Sequence, residues 1–264
     1  MPKRPHAPKK PKPARPPAAP KDLGVWSGIL RAPEAARPWP SLVFLAPFLA
    51  LYTVGLLVLR PGWAATADLW LRRAMAPLGL TGELVPVGIL VVVLLVWHLF
   101  RRDAWRFPPA LLGTMIIETL LLAVPLIGLH GLFQAIAHSP ITLSIPAAAP
   151  ELDTDRLAPI VTSMGTGIYE ELIFRLMLVS LLIVLARHFM GLQEDGAIVA
   201  AVLVAAGIFA GAHTIGNPFT WSAFLFRTAA GVYLSTLFAY RGFGVAAAVH
   251  CVFNVVIKVA AGGI

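Results

Sequence analysis

The stretch IVTSMGTGIYEELIFRLMLVSLLIVLA, residues 160–186, is apolar over most of its length and long enough to cross a membrane. An α-helix rises about 1.5 Å per residue, so about 20 apolar residues span the hydrocarbon of a bilayer, which is about 30 Å thick. Three charged side chains interrupt the stretch near its middle: Glu170, Glu171 and Arg175. We therefore predict a membrane-spanning helix that carries an unusual polar cluster at depth.

The same apolar pattern recurs along the chain and predicts an all-α, polytopic transmembrane helical bundle. Hydrophobic residues make up 58% of the chain and charged residues 13%, against about 25% charged in ordinary soluble domains. The pattern indicates about seven spans, within a range of six to eight. Their predicted positions are 41–59, 84–100, 110–130, 159–186, 196–213, 222–240 and 244–262. Segment 63–75 mixes Trp and Leu with Asp68, Arg72 and Arg73, which favours a helix lying at the membrane surface.

The chain divides into three predicted regions. Residues 1–40 are rich in Pro, Lys and Arg, and we predict a disordered cytoplasmic arm there. Residues 41–154 are expected to form amino-terminal transmembrane helices and loops, and residues 155–264 a transmembrane core that carries the polar side chains. Within this core, the four-residue spacing of Gly207 and Gly211 predicts a close approach of the fifth span to a neighbour.

The net charge of +8 is concentrated in the arm, since 9 of the 21 Lys and Arg residues lie within residues 1–40. Basic segments beside membrane helices usually face the cytoplasm and attract anionic lipid headgroups. The charge therefore predicts contact with membrane lipid and no nucleic-acid partner. Two spans separate the arm from the basic loop 101–106, so both are predicted to be cytoplasmic, with loop 131–158 outside. We expect a multi-pass protein of the plasma membrane of a bacterium, with its amino terminus in the cytoplasm.

Charges at the centre of a membrane helix are unfavourable by about 2.5 to 3.5 kcal/mol each on insertion scales, so they need partners. Glu171 and Arg175 lie four residues apart on one helical face and are predicted to form an ion pair. Glu170 points about 100° away from Glu171. It must therefore find another partner, face a water-filled cavity, or become protonated.

Polar residues of later spans are the natural partners for Glu170. His213 ends the fifth predicted span, and His250 and Asn254 lie four residues apart in the seventh. We expect these side chains to converge on one site, with a polar network that only fixes helix register as the alternative. The one cysteine, Cys251, is interpreted as a packing residue, and it excludes an intrachain disulfide.

Three short motifs, taken in order, resemble those of a known family. They are EExxxR (Glu170, Glu171, Arg175), FxxxH (Phe209, His213) and HxxxN (His250, Asn254). The set lies within about residues 155–260 and resembles the CAAX-processing and bacteriocin-processing intramembrane peptidases, called the CPBP or Abi family or type II CAAX prenyl endopeptidases. The resemblance implies a glutamic-type endopeptidase that cleaves near the carboxyl terminus of a membrane-associated protein or peptide, prenylated or not.

The resemblance also implies catalytic roles. Glu170, assisted by His213, would deprotonate a water for attack on a peptide carbonyl. His250 and Asn254 would donate hydrogen bonds to the developing oxyanion. This mechanism requires no cofactor.

The remaining motif residues are expected to support the site. The ion pair of Glu171 and Arg175 would position its helix or the carboxyl end of the substrate, because the planar guanidinium binds carboxylates in bidentate fashion. Phe209 completes its motif beside them.

Three alternatives stay open at this point. Glu170, His213 and His250 could supply three ligands to zinc, although the HExxH motif is absent. The protein could instead be a non-catalytic membrane immunity or scaffold protein that keeps the network for helix association. A transporter with Glu170 as proton carrier is the third alternative. The physiological substrate and the oligomeric state are left open.

Overall fold

A computed structural model describes residues 34–59, 64–136, 154–215 and 218–260, and the chain within these ranges is almost entirely helical. The helices are α1 (Pro38–Val54), α2 (Thr66–Met75), α3 (Val85–Arg101), α4 (Ala110–Ile136), α5 (Thr154–Glu171), α6 (Ser180–Met190), α7 (Glu194–Ala212), α8 (Trp221–Arg241) and α9 (Phe243–Ala260). Two π-helical segments extend this list: Gly55–Leu59 continues α1, and Leu172–Val179 joins α5 to α6.

Within the described part of the chain, six helical segments are long and apolar enough to cross a membrane. They are Pro38–Val58, Ala110–Ile136, Leu157–Met190, Glu194–Ala212, Trp221–Arg241 and Phe243–Ala260. A shorter apolar helix, Val85–Arg101, lies where the second span is predicted. The predicted all-α, polytopic bundle is confirmed, and the protein is an integral membrane protein.

The predicted boundaries agree with the structure to within a few residues, apart from a few extended helices. The first helix begins at Pro38, three residues before the predicted start, because proline is well suited to the first turn of a helix. α4 continues to Ile136, six residues beyond its predicted end. Residues 1–33 of the predicted arm lie outside the described residues, and so does most of loop 131–158.

The helix α9 lies at the centre of the bundle. Every residue from Phe243 to Cys251 is buried, and most of them are small. The Gly244 N–H donates to Ser41 Oγ at 3.2 Å, and a Cβ on Gly244 would lie 2.8 Å from the Ser41 Cα. Small residues allow helix backbones to approach closely in membranes, so α1 packs directly against the start of α9.

A second close approach brings α5 against α9. A Cβ added to Gly167 would lie 2.6 Å from the backbone nitrogen of Cys251, closer than real contacts allow. The nearby Gly165 is in equally tight contact with the ring of Tyr52 on α1. These two glycines therefore set the spacing of α5 to both of its neighbours, one turn before its glutamates.

The close approach predicted for Gly207 and Gly211 is wrong within the described part of the chain. Nothing there lies within 4 Å of a Cβ added to either residue. The close contact of α7 is made instead by Gly231 of α8, whose added Cβ would lie 3.0 Å from the Ala206 Cα. The spacing of two glycines does not specify which face of a helix packs.

The helix predicted at segment 63–75 is present as α2, and buried polar contacts attach it to the bundle. Asp68 is fully buried and accepts a hydrogen bond from the Tyr52 hydroxyl at 2.6 Å. It also forms an ion pair with Arg72, one turn along α2. The Tyr52 hydroxyl accepts in turn from the Ala65 N–H at 3.1 Å, so Tyr52 holds the start of α2 against α1.

The two ends of the bundle differ in composition. At one end, which we call the basic end, Trp39 lies with its ring centroid 5.2 Å from that of Trp105. Arg241, the last residue of α8, pairs there with Glu118. Since α7 and α8 are antiparallel neighbours, α7 starts at the basic end, and His213, at its far end, marks the opposite or site end.

Candidate active site

A carboxylate and an imidazole from different helices meet at the site end. Glu170, near the end of α5, is buried, and its Oε1 lies 3.3 Å from Nε2 of His213. His213 directly follows the last residue of α7, and its side chain keeps an exposed fraction of 23%. Glu170 is thus held inside the protein while its partner imidazole reaches the surface of the site.

The ring of His213 is oriented by its own helix. Its Nδ1 lies 2.8 Å from the carbonyl oxygen of Phe209, and because a carbonyl can only accept, Nδ1 donates a proton there. Nε2 is thereby directed at Glu170. Burial lowers the pKa of His213, but the hydrogen bond and charge of Glu170 outweigh this effect, and the net result is a raised pKa. The pair can therefore share a proton.

The second imidazole, His250 of α9, lies between the two glutamates. Its Nδ1 donates to Oε1 of Glu171 at 2.8 Å. Its Nε2 then faces Glu170, with Oε2 at 3.8 Å. This distance is too long for a direct hydrogen bond. Glu170 is consequently flanked by two imidazole nitrogens, one on each oxygen.

The predicted ion pair of Glu171 and Arg175 is confirmed, with Arg175 Nη1 at 3.0 Å from Glu171 Oε1. Both side chains are buried, and the contact lacks hydrogen-bond geometry. The guanidinium also lies over the ring of Phe209, 4.3 Å from its centroid. The Arg175 side chain has an exposed fraction of only 1%, so it is enclosed on all sides.

Phe209 acts as a spacer between the polar groups. Its ring packs edge-on against His213 at 4.5 Å between centroids and against Phe174 at 5.1 Å. The ring of His250 lies 6.4 Å away. Phe209 therefore separates the Arg175 charge from His213 and fixes the direction of that imidazole.

Asn254 lies one turn beyond His250 on α9, as the four-residue spacing predicted. Its amide nitrogen Nδ2 is buried and has no hydrogen-bond partner within the described residues. An unpaired buried donor is unfavourable by about 1 to 3 kcal/mol. The amide thus has an unused donor on the helix face that carries His250.

The described residues contain no group of three His, Cys, Asp or Glu side chains placed to hold a metal ion. The three residues considered for zinc, Glu170, His213 and His250, lie together in the structure, and Nε2 of each histidine is directed at a Glu170 oxygen. The arrangement is that of a carboxylate between two imidazoles.

Two features that shape the site were not found from the sequence. Gly167 brings α5 and α9 together one turn before Glu170 and Glu171. The local sequence MGTG, residues 164–167, does not predict this contact. The π-helical segment Leu172–Val179 carries Arg175, and such segments often occur at functional sites. In the sequence, only the charged residues inside an apolar run could have indicated that the helix is irregular at this segment.

Taken together, an apolar helical bundle and a buried cluster of glutamate, histidine and asparagine define an integral membrane protein with an internal polar site. Residues 154–256 match the family model described as Rce1-like, type II CAAX prenyl endopeptidase. This region, from α5 to most of α9, is similar to that family, and the match confirms the resemblance indicated by the motifs. The family supports a CAAX-type intramembrane protease that acts on a peptide substrate in a lipid environment.

Neither the curated proteins nor the solved structures include a significant match to the chain.

Proposed function

We propose that the protein is a glutamic-type intramembrane endopeptidase in which Glu170 activates a water molecule. The observation that carries this proposal is the position of Glu170, a buried carboxylate flanked by Nε2 of His213 at 3.3 Å and Nε2 of His250 at 3.8 Å. No arginine or lysine within the described residues forms a salt bridge with Glu170. A carboxylate hydrogen-bonded to an imidazole can take up a proton and pass it on, as this reaction requires.

In the proposed reaction a water sits beside Glu170 and attacks the carbonyl carbon of the scissile peptide bond. Glu170 takes a proton from that water as the new carbon–oxygen bond forms. His213, hydrogen-bonded to Glu170, stabilises its charge and helps to pass the proton to the leaving amine nitrogen. The products are a new carboxyl terminus and a free amine, so atoms and charges balance without a cofactor.

Asn254 and His250 are proposed to stabilise the oxyanion of the tetrahedral intermediate. The unpaired Nδ2 of Asn254 supports this role, because the oxyanion would give that donor the partner it lacks. Nδ1 of His250 donates a hydrogen bond to Glu171, which orients the imidazole so that Nε2 faces into the site. Burial strengthens both interactions, since the surrounding dielectric is low.

The substrate that we propose is a membrane-associated protein or peptide cleaved near its carboxyl terminus, with a prenyl group as the candidate membrane anchor. The match to a family of CAAX prenyl endopeptidases supports this substrate class. The exposed part of His213 gives a polypeptide access to the buried glutamate from the site end.

The proposal is tested with Glu170→Gln, which keeps the size and much of the hydrogen bonding of the side chain but cannot accept the proton. Cleavage of fluorogenic peptides, with and without a carboxyl-terminal prenyl-cysteine, should fall by about 10²- to 10⁴-fold. Glu118→Gln is the matched control, since it makes the same chemical change in another span, at the ion pair with Arg241. Equal activity of wild type and Glu170→Gln on any cleaved peptide would contradict the proposal and favour a non-catalytic role.

A chelator arm separates this mechanism from the zinc alternative. We expect cleavage to persist in EDTA and 1,10-phenanthroline, and added zinc to give no increase. Activity lost to chelators and restored by zinc would instead assign Glu170, His213 and His250 to a metal.

We also propose that the basic end faces the cytoplasm of a bacterial plasma membrane, as the positive-inside rule favours. Arg37, Arg101 and Arg102 lie at that end, so the site end would face outward. Cysteines introduced at Arg102 and at Thr81, on opposite ends, test this orientation with a membrane-impermeant thiol reagent on intact cells. The native Cys251 is buried and gives little background. Labelling at Thr81→Cys alone is expected, and labelling at Arg102→Cys alone would reverse the orientation.

A further inference from the structure

A second arginine lies beside the site. Gly231 of α8 packs against Ala206 and Phe209 of α7, which fixes how these antiparallel helices align. Arg227 lies one turn before Gly231, and His213 lies one turn after Phe209. Because the helices run in opposite directions, both steps lead toward the site end, so Arg227 lies opposite His213.

The charge of Arg227 has no counterpart in the described part of the chain. It is half-buried, about a turn and a half into an apolar helix, and no hydrogen bond or ion pair to a described residue is present. The other arginines of the spanning helices each pair with a carboxylate: Arg101, Arg175, Arg187 and Arg241. An arginine in an apolar helix is unfavourable without a counter-charge, and the described residues supply none, so Arg227 is a candidate to bind an anion.

The electrostatics of the site point to the same requirement. The positive charge of Arg227 lowers the pKa of His213 and so opposes the effect of Glu170. The site thus places a permanent cation beside an imidazole that has to take up a proton. An anion bound to Arg227 would remove this conflict when substrate is present.

We propose that Arg227 binds the carboxylate at the carboxyl terminus of the substrate and so sets the distance from the chain end to the cleaved bond. The inference rests on the proposed function, because it assumes that Glu170 marks the position of that bond. Three extended residues span at most about 10 Å. A short carboxyl-terminal segment can therefore reach from Glu170 past His213 to the neighbouring helix. The guanidinium offers the two parallel donors that a carboxylate accepts.

Arg227 is better suited to this role than Arg175. Arg175 has an exposed fraction of 1% and is already bound to Glu171. Arg227 is partly exposed on the side where His213 is also accessible. A substrate carboxylate can approach Arg227 without breaking an internal ion pair.

The test uses two versions of one internally quenched peptide that ends in farnesyl-cysteine and three apolar residues, one with a free carboxyl terminus and one with an amide. Wild type should favour the free acid by about 10- to 100-fold in kcat/KM, the value of a hydrogen bond to a charged group. Arg227→Gln should lose this preference, and Arg227→Lys should keep part of it. Arg187→Gln, at the basic end, is the matched control and should keep the full preference.

A binding measurement separates this inference from the proposed reaction. Fluorescence anisotropy with Glu170→Gln should show tighter binding of the acid than of the amide, and the double variant with Arg227→Gln should not discriminate. If binding depended on Arg227 in this way but wild type cleaved neither peptide, the result would contradict the proposed peptidase activity and support the binding of a carboxylate by Arg227.

If Arg227→Gln lowered kcat/KM equally for the acid and the amide peptide, so that the preference for the acid was retained, the inference would be overturned. The inference would also be overturned if Arg227→Gln kept the preference for the free acid but had a lower melting temperature than wild type only in nanodiscs that contain anionic phospholipid. That result would assign Arg227 to a lipid phosphate.

Discussion

Asp68 and Glu170 are both buried carboxylates, but their surroundings are opposite. Asp68 accepts hydrogen bonds on both oxygens, from the Tyr52 hydroxyl and from the guanidinium of Arg72. Glu170 has one imidazole at hydrogen-bond distance and a second at 3.8 Å, and no described arginine or lysine forms a salt bridge with it. Both oxygens of Asp68 accept hydrogen bonds from protein groups, whereas Oε2 of Glu170 accepts none from a described residue.

The difference separates a carboxylate that holds two helices together from one that we propose to be reactive. A paired and hydrogen-bonded carboxylate stabilises a fixed geometry, and here it attaches α2 to α1. A carboxylate hydrogen-bonded to an imidazole has a partner with which it can exchange a proton, as Glu170 has in His213. The contrast predicts that substitutions around Asp68 lower the stability, whereas substitutions around Glu170 lower the turnover.

The largest effect after loss of the glutamate itself is expected at Asn254. Asn254→Ala removes the unpaired donor that we assign to the oxyanion, and removal of one such donor lowers kcat by about 10²- to 10³-fold. KM should change little, because the interaction forms in the transition state. Steady-state kinetics on the prenylated peptide measure both constants. A rise in KM with unchanged kcat would instead place Asn254 in ground-state binding.

The spacing between α5 and α9 is tested by Gly167→Ala. The added methyl group would meet the Cys251 backbone, so we expect a loss of stability of about 1 to 3 kcal/mol from overpacking. Activity per folded molecule should also fall, since Glu170 and Glu171 would move relative to His250.

The control for this change is Gly207→Ala, where nothing described lies within 4 Å of the added carbon. It should leave the melting temperature unchanged or raise it, because alanine favours the helix by about 0.5 to 1 kcal/mol over glycine. A lower melting temperature for Gly207→Ala than for Gly167→Ala would show that the packing of α5 on α9 is not as described.

The smallest effect on turnover is expected from Tyr52→Phe, which removes one partner of Asp68 and of the Ala65 N–H. The unpaired groups should lower the stability by about 1 to 3 kcal/mol. Thermal unfolding in detergent measures this loss. Turnover per folded molecule should stay near the wild-type value, and a large drop in kcat without unfolding would mean that the Asp68 cluster takes part in the reaction.

The sequence predicted most of the helix positions and the meeting of Glu170 with His213 and His250, because charged residues in apolar runs are conspicuous. Glu171 and Arg175 form the ion pair that their spacing predicts, and His213 and His250 supply the partners that Glu170 needed. Tyr52 could not be found in this way. A tyrosine in an apolar span carries no charge, and its partner Asp68 lies across a turn on another helix.

Glycine spacing was informative only where the packing face was known. Gly207 and Gly211 have the expected spacing but face no described neighbour, whereas Gly167 has no such signal and makes the contact that builds the site. Arg227 could have been found by the argument used for Glu170, since it too lies inside an apolar run. Its position opposite His213 follows only from the alignment of two helices in three dimensions.

The most direct test of the account compares Glu170→Gln with Asp68→Asn in one set of measurements, turnover per folded molecule and melting temperature. We predict that Glu170→Gln loses activity by about 10²-fold or more while its melting temperature is unchanged or higher. Asp68→Asn should be destabilised, by up to about 3 to 5 kcal/mol, with turnover per folded molecule close to wild type. An active Glu170→Gln, or a stable and inactive Asp68→Asn, would contradict the assignment of Glu170 as the reactive carboxylate.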